Sequence, residues 1–160
     1  MNMQTNETKI QIINPQGHMP RGIDDFAEAM TQQCCLIDKS LLVEELLLSC
    51  SDKIVVITRP RRFGKTINQS MLRCFLEKPS EKADMQVLFE NALISQNSTA
   101  MQHQGKYPVI SLTFKGAKLP TWEEAYNKLC SLIRREIERH AESKEFTIAG
   151  FVEDEQESWH

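Results

Sequence analysis

Residues 53–75 read KIVVITRPRRFGKTINQSMLRCF, and the fold is decided here. Ile54, Val55, Val56 and Ile57 are all β-branched, which favours a strand. A short basic loop follows and ends in Gly64, Lys65 and Thr66. Apolar residues then recur at helical spacing: Ile67, Met71, Leu72 and Phe75. Strand, loop and helix in that order are the context of a phosphate-binding loop. Unpaired N–H groups of the loop and first helical turn can face a phosphate. Gly64 lets the backbone approach closely, since it has no Cβ. Lys65 brings a point charge to the β- and γ-phosphates, and the Thr66 hydroxyl suits Mg²⁺. The nucleotide-binding residues predicted are Arg59, Pro60, Arg61, Arg62, Phe63, Gly64, Lys65 and Thr66, with Thr66 also the metal ligand. No catalytic residue is assigned.

The full pattern is G-x-x-x-x-G-K-[ST]. Arg59 stands where the first glycine belongs, so seven of the eight positions fit. A bare G-K-T also occurs in ordinary basic strand-to-helix turns. What separates the two readings is the β-branched run before it and the amphipathic segment after it.

The string ITRPRRFGKT at residues 57–66, with GIDDF at 22–26 and GKYPVI at 105–110, resembles the bacterial predicted AAA-ATPase (AAA-ATPase-like) family, in its N-terminal portion. Members of that family share RPRRFGKT in place of the glycine-first loop, so Arg59 matches their version. The resemblance runs from about Gly22 to about His140, with three separated segments in order. It implies ATP and Mg²⁺ as ligands. It also implies that the segment before the nucleotide-binding strand walls the adenine pocket, with residues 22–26 and Asp38-Lys39 as local candidates. A helical lid over the sheet edge is the alternative role for them. The family's acidic strand, an L-I-D-E-Y-D-like stretch, and a nuclease-like domain come later than His160.

Length and composition set the frame. The chain has 160 residues, enough for one domain with a core. Hydrophobic residues make up 41% and charged residues 26%, the balance of a water-soluble globular protein. Net charge is −3, which argues against non-specific nucleic-acid binding by the whole chain. Locally the balance reverses: residues 53–73 hold six basic residues and no acid. That suits a polyanion held in one place.

The five cysteines, Cys34, Cys35, Cys50, Cys74 and Cys130, show no C-x-x-C spacing. With no secretory leader among the polar first nine residues, reduced thiols in the cytoplasm are expected. No apolar run approaches the roughly 18 residues of a membrane span. The four histidines stand at no metal-ligand spacing with one another or with a cysteine.

Along the chain, residues 1–20 read as a flexible polar arm. Asp24 is the expected N-cap of a helix over 25–31, and 34–37 a short extended segment. Asp38 or Ser40 caps a helix over 39–49 with a wide apolar face. A strand is predicted over 53–58, a helix over 65–77, a turn or two over 84–93 and a polar loop over 96–105. A second strand is predicted over 108–114. Thr121 and Glu124 form a capping box opening a long helix that runs to about His140. Residues 146–151 read as a short strand or hook, and 153–157 as acidic and solvated.

The predicted fold class is α/β: a P-loop NTPase-like parallel sheet with flanking helices, incomplete because the chain stops before the acidic Walker B strand. The expected organisation is an arm at 1–20, an AAA-ATPase-like domain at 21–145 and an acidic tail at 146–160. The expected function is an ATP-binding AAA-ATPase-like module that hydrolyses ATP poorly as this chain alone. An open sheet edge would invite another copy or a protein partner. One alternative is a non-enzymatic interaction remnant that has lost nucleotide and presents Arg59, Arg61 and Arg62 to an acidic partner. A small P-loop kinase is the other, and it too lacks its acidic residue.

Overall fold

A computed structural model describes residues 10–49, 54–79 and 85–141. The chain divides into two compact units, residues 1–109 and 110–160.

The first unit opens with a short antiparallel ladder. β1 (Ile12–Ile13) pairs with β2 (Leu36–Ile37), Ile12 opposite Ile37 and Ile13 opposite Leu36. The ladder continues irregularly on either side, through Asp38 N–H to Gln11 O at 2.8 Å and Cys35 N–H to His18 O at 2.9 Å. Between the strands lies α1 (Phe26–Thr31). α2 (Leu41–Glu44) runs on into a single π-helical turn, Glu45–Ser49. This is the helix expected over 39–49, and its wide apolar face is consistent with the looser turn.

α3 (Lys65–Leu76) follows the basic loop. It stops where predicted: Glu77 is already extended, with ψ 136°, two residues before Pro79. Glu77 forms an isolated parallel bridge with Tyr107. Two 3₁₀ turns, Gln86–Phe89 and Leu93–Gln96, and α4 (Ser98–Met101) complete the unit. Asn97 caps α4 by accepting from the N–H groups of Thr99 and Ala100, both at 3.0 Å.

The core of this unit is helical. Phe89, fully buried, stacks on Phe26 at 5.3 Å between ring centroids and meets Phe75 edge-on at 5.1 Å. Val43, Met71, Cys74, Ile94 and Ala100 fill the space around them. The second unit contains α5 (Trp122–Ala141), 20 residues long. Its capping box forms: Glu124 N–H donates to Thr121 Oγ1 at 3.3 Å, and Thr121 N–H to Glu124 Oε2 at 3.4 Å. Arg139 grips Glu136 one turn back, at 2.6 Å.

The predicted parallel sheet is corrected. Among the described residues neither 54–58 nor 108–114 is a strand. A β-branched run becomes a strand only when a neighbour takes up its N–H and C=O groups in a regular ladder, and among the described residues neither run joins one. Ile54 and Val56 stay 80% and 78% exposed, where a central parallel strand would be buried on both faces. Among the described residues the sheet whose edge is expected to meet a partner is therefore not formed, and both runs lie outside any strand. The mixed α and β composition holds only in its coarse form: among the described residues, helices with one two-stranded antiparallel sheet. The expected hook at 146–151 and the acidic tail lie outside the described residues. No helix among the described residues is long and apolar enough to cross a membrane.

Candidate functional site

The loop joins helix α3 through Gly64, the N-cap, at φ 73° and ψ 23°. That left-handed geometry is what an L side chain resists and glycine does not. The first helical bond runs from Asn68 N–H to Gly64 O at 3.0 Å. Arg62 is left-handed too, at φ 68°, while Arg61 and Phe63 are not. Left-handed residues at positions 62 and 64 recur in backbone concavities that bind anions. A left-handed arginine costs on the order of 1 kcal/mol, which the surrounding turn must hold in place.

Two ammonium groups bracket the loop. Lys65 Nζ folds back and donates to the carbonyl oxygens of Arg59 at 2.7 Å and Pro60 at 3.0 Å. Lys39 Nζ, reaching in from outside the loop, donates to Phe63 O at 3.3 Å. Arg59, Pro60, Arg61, Arg62, Phe63, Lys65 and Thr66 are all exposed, and Gly64 is half-buried. The predicted site residues thus lie together on one loop and helix start. No acid occupies the first turn of α3.

Lys39 is held by its neighbours. Asp38, 7% exposed, accepts from Ser40 N–H at 2.8 Å with one oxygen and from Leu93 N–H at 2.7 Å with the other. The buried Ser40 hydroxyl accepts from Ile94 N–H at 3.0 Å. Asp38 and Ser40 therefore fasten the segment before α2 to the Leu93–Gln96 turn and leave Lys39 pointing to the loop. The family resemblance implies an adenine wall for Asp38-Lys39, with a helical lid as the alternative, and neither role includes the contact with Phe63. No periodicity announces it.

α3 is fixed from its other side by α1. Asp25, not Asp24, is the N-cap: it accepts from Glu28 N–H at 3.0 Å. Its second oxygen accepts from the Ser70 hydroxyl at 2.7 Å, and Ser70 Oγ in turn accepts from Phe26 N–H at 3.0 Å. Burial pushes the Asp25 carboxyl up, but the Glu28 and Ser70 hydrogen bonds and the Arg73 charge outweigh it. The carboxyl sits below its ordinary value. Burial, then the Asp25 charge, push the Cys74 thiol up.

Beside the first turns of α3 lies a cleft of about 30 Å³, lined by Ile13, Phe26, Leu36, Lys39, Ile67 and Asn68 among others. It has room for a water or two and not, as it stands, for a purine. Gly22 and Ile23 line a different, open groove with His18, Arg21 and Glu28. Of the two candidate adenine walls, Asp38-Lys39 is therefore the one beside the loop, joined there by Phe26.

Chemically, the arrangement offers an anion a left-handed glycine, a helix start and two ammonium groups. Among the described residues there is no cluster of three or more His, Cys, Asp or Glu that could hold a metal.

A family model described as predicted AAA-ATPase matches residues 20–158. No curated protein and no solved structure gives a match.

Proposed function

The chain belongs to the predicted AAA-ATPase family, and on that premise we propose that it is an ATP-binding module whose phosphate site is the variant loop Arg59 to Thr66. One observation carries the reading: Lys65 folds over the loop at the start of α3, on a left-handed Gly64. Its ammonium rests on two carbonyl oxygens, and its flexible four-carbon stem would let it turn to an entering anion. Gly64 and the loop N–H groups would cradle the phosphates. Thr66 would ligate Mg²⁺, and Arg61 and Arg62 would flank the charge. The adenine would lie towards Lys39 and Ile67, which requires the small cleft there to widen.

Turnover by this chain is expected to be slow. Among the described residues no carboxylate contacts the loop, and losing one charge-stabilising group in such a site costs orders of magnitude. The four described cysteines are free thiols, in keeping with a cytoplasmic setting.

Displacement of a fluorescent ATP analogue tests the reading. Unlabelled ATP should compete, and comparison with GTP would give the base preference. No binding of the analogue at any concentration up to millimolar would overturn it.

A second reading is kept because Arg59, Arg61 and Arg62 are all exposed and no ion pair to any of them is formed among the described residues. On that reading the chain is a non-enzymatic module whose arginines engage an acidic protein. Arg61→Ala and Arg62→Ala decide between the two: on the first reading they weaken nucleotide binding, and on the second they weaken only the binding of the acidic partner.

A further inference from the structure

Lys39 stands apart in sequence from every motif residue, yet its ammonium reaches Phe63 O at 3.3 Å. A methyl group built on Gly64 would lie 3.7 Å from the same Nζ. Two cations, Lys39 and Lys65, therefore sit at the start of a 12-residue helix with no acid in its first turn. The N-terminal end of a helix is already positive, so cations placed there raise the energy of the empty site. The neighbouring Asp38 carboxylate keeps its charge but forms no ion pair with Lys39 among the described residues. Both Asp38 oxygens are committed to backbone N–H groups, of Ser40 and Leu93. Those buried bonds also fix the Lys39 backbone, so the cation is delivered from a rigid base to the loop's edge.

Two ammonium groups reaching one helix start from different sides can meet two adjoining phosphates at once, which a single phosphate cannot offer. We propose that Lys39 is a specificity-determining residue of the loop. It is a second ammonium, supplied from outside the motif, that selects adjoining phosphates, as in pyrophosphate, tripolyphosphate and the nucleotides containing them, over a single phosphate. This rests on the loop being an anion site, as proposed above. Lys65 serves the anion from inside the loop and Lys39 from the side of β2 and α2.

Calorimetric titration of the full chain with tripolyphosphate and with orthophosphate tests it, using wild type, Lys39→Met, Lys39→Arg and Lys65→Ala. Lys39 is exposed, and unchanged thermal melting of its variants would show that folding is intact. Lys39→Met should lose roughly tenfold in tripolyphosphate affinity, the order of one charge-assisted contact, with little change for orthophosphate. Lys39→Arg should restore it. The fall of affinity with salt should also be shallower in Lys39→Met, since one charge is gone. Tripolyphosphate binding unchanged in Lys39→Met but lost in Lys65→Ala would overturn the Lys39 role and leave the loop reading standing. Equal losses for both anions without rescue by Arg would reduce Lys39 to a structural part and overturn the selectivity. No binding by wild type would overturn both.

Discussion

The Ser70 hydroxyl donates to the Asp25 carboxylate at 2.7 Å, tying the N-cap of α1 to the middle of α3 across 45 residues of sequence. The same hydroxyl accepts from Phe26 N–H, so Ser70 completes the cap while holding the phosphate-loop helix in place. Ser70→Ala and Asp25→Ala should each destabilise the chain by about 1–2 kcal/mol, the cost of a lost cap or a part-buried hydrogen bond. In urea unfolding the double variant should lose clearly less than the sum, because the two partners share one interaction. Full additivity would mean that the bond contributes nothing.

Asp25 also sets a pH dependence. Its carboxyl is held below the ordinary value of 3.8, so the folded state binds its proton less readily than the unfolded state. The stability it contributes is present above the ordinary value and is lost as pH falls through the lowered folded value. The gap in melting temperature between wild type and Asp25→Asn should hold at neutral pH and close below about pH 4. A gap that widens on acidification would reverse the sign assigned here.

Phe89 is the hub of the aromatic core, touching Phe26 and Phe75 from a single 3₁₀ turn. Phe89→Ala should cost about 3–5 kcal/mol, as truncation of a fully buried aromatic does. Near-wild-type stability in a urea titration would mean that the packing around it is loose.

Gly64→Ala isolates backbone strain from crowding. A methyl there would meet Ile67 Cγ2 at 3.4 Å and Lys39 Nζ at 3.7 Å, both ordinary contacts. The cost comes from φ 73° alone and should be about 1–2 kcal/mol. At an ordinary φ the same change stabilises, so a gain in stability would contradict the left-handed N-cap.

What the sequence disclosed was local. α5 announces itself through Thr121, Glu124 and an apolar repeat, and it spans Trp122–Ala141 where about 121–140 was expected. α3 and its stop before Pro79 are likewise written in neighbouring residues. The predicted loop residues stand together because they are consecutive. The strands fail for the opposite reason: Ile54 to Ile57 have strand chemistry, but a strand depends on a partner that no periodicity specifies. Asp25 rather than Asp24 becomes the cap because Ser70, far along the chain, bonds to it. Lys39 reaches the loop for a similar reason, through the buried bonds of Asp38 and Ser40 to Leu93 and Ile94.

The central claim is a phosphate site organised by Lys65. Titrating Mg-ATP calorimetrically into wild type and Lys65→Ala tests it most directly. The account predicts micromolar binding to wild type, weakened at least about tenfold in the variant, since a charge-assisted contact of that kind is worth about 1.5–3 kcal/mol. Equal binding by the two proteins, or none by wild type, would contradict it.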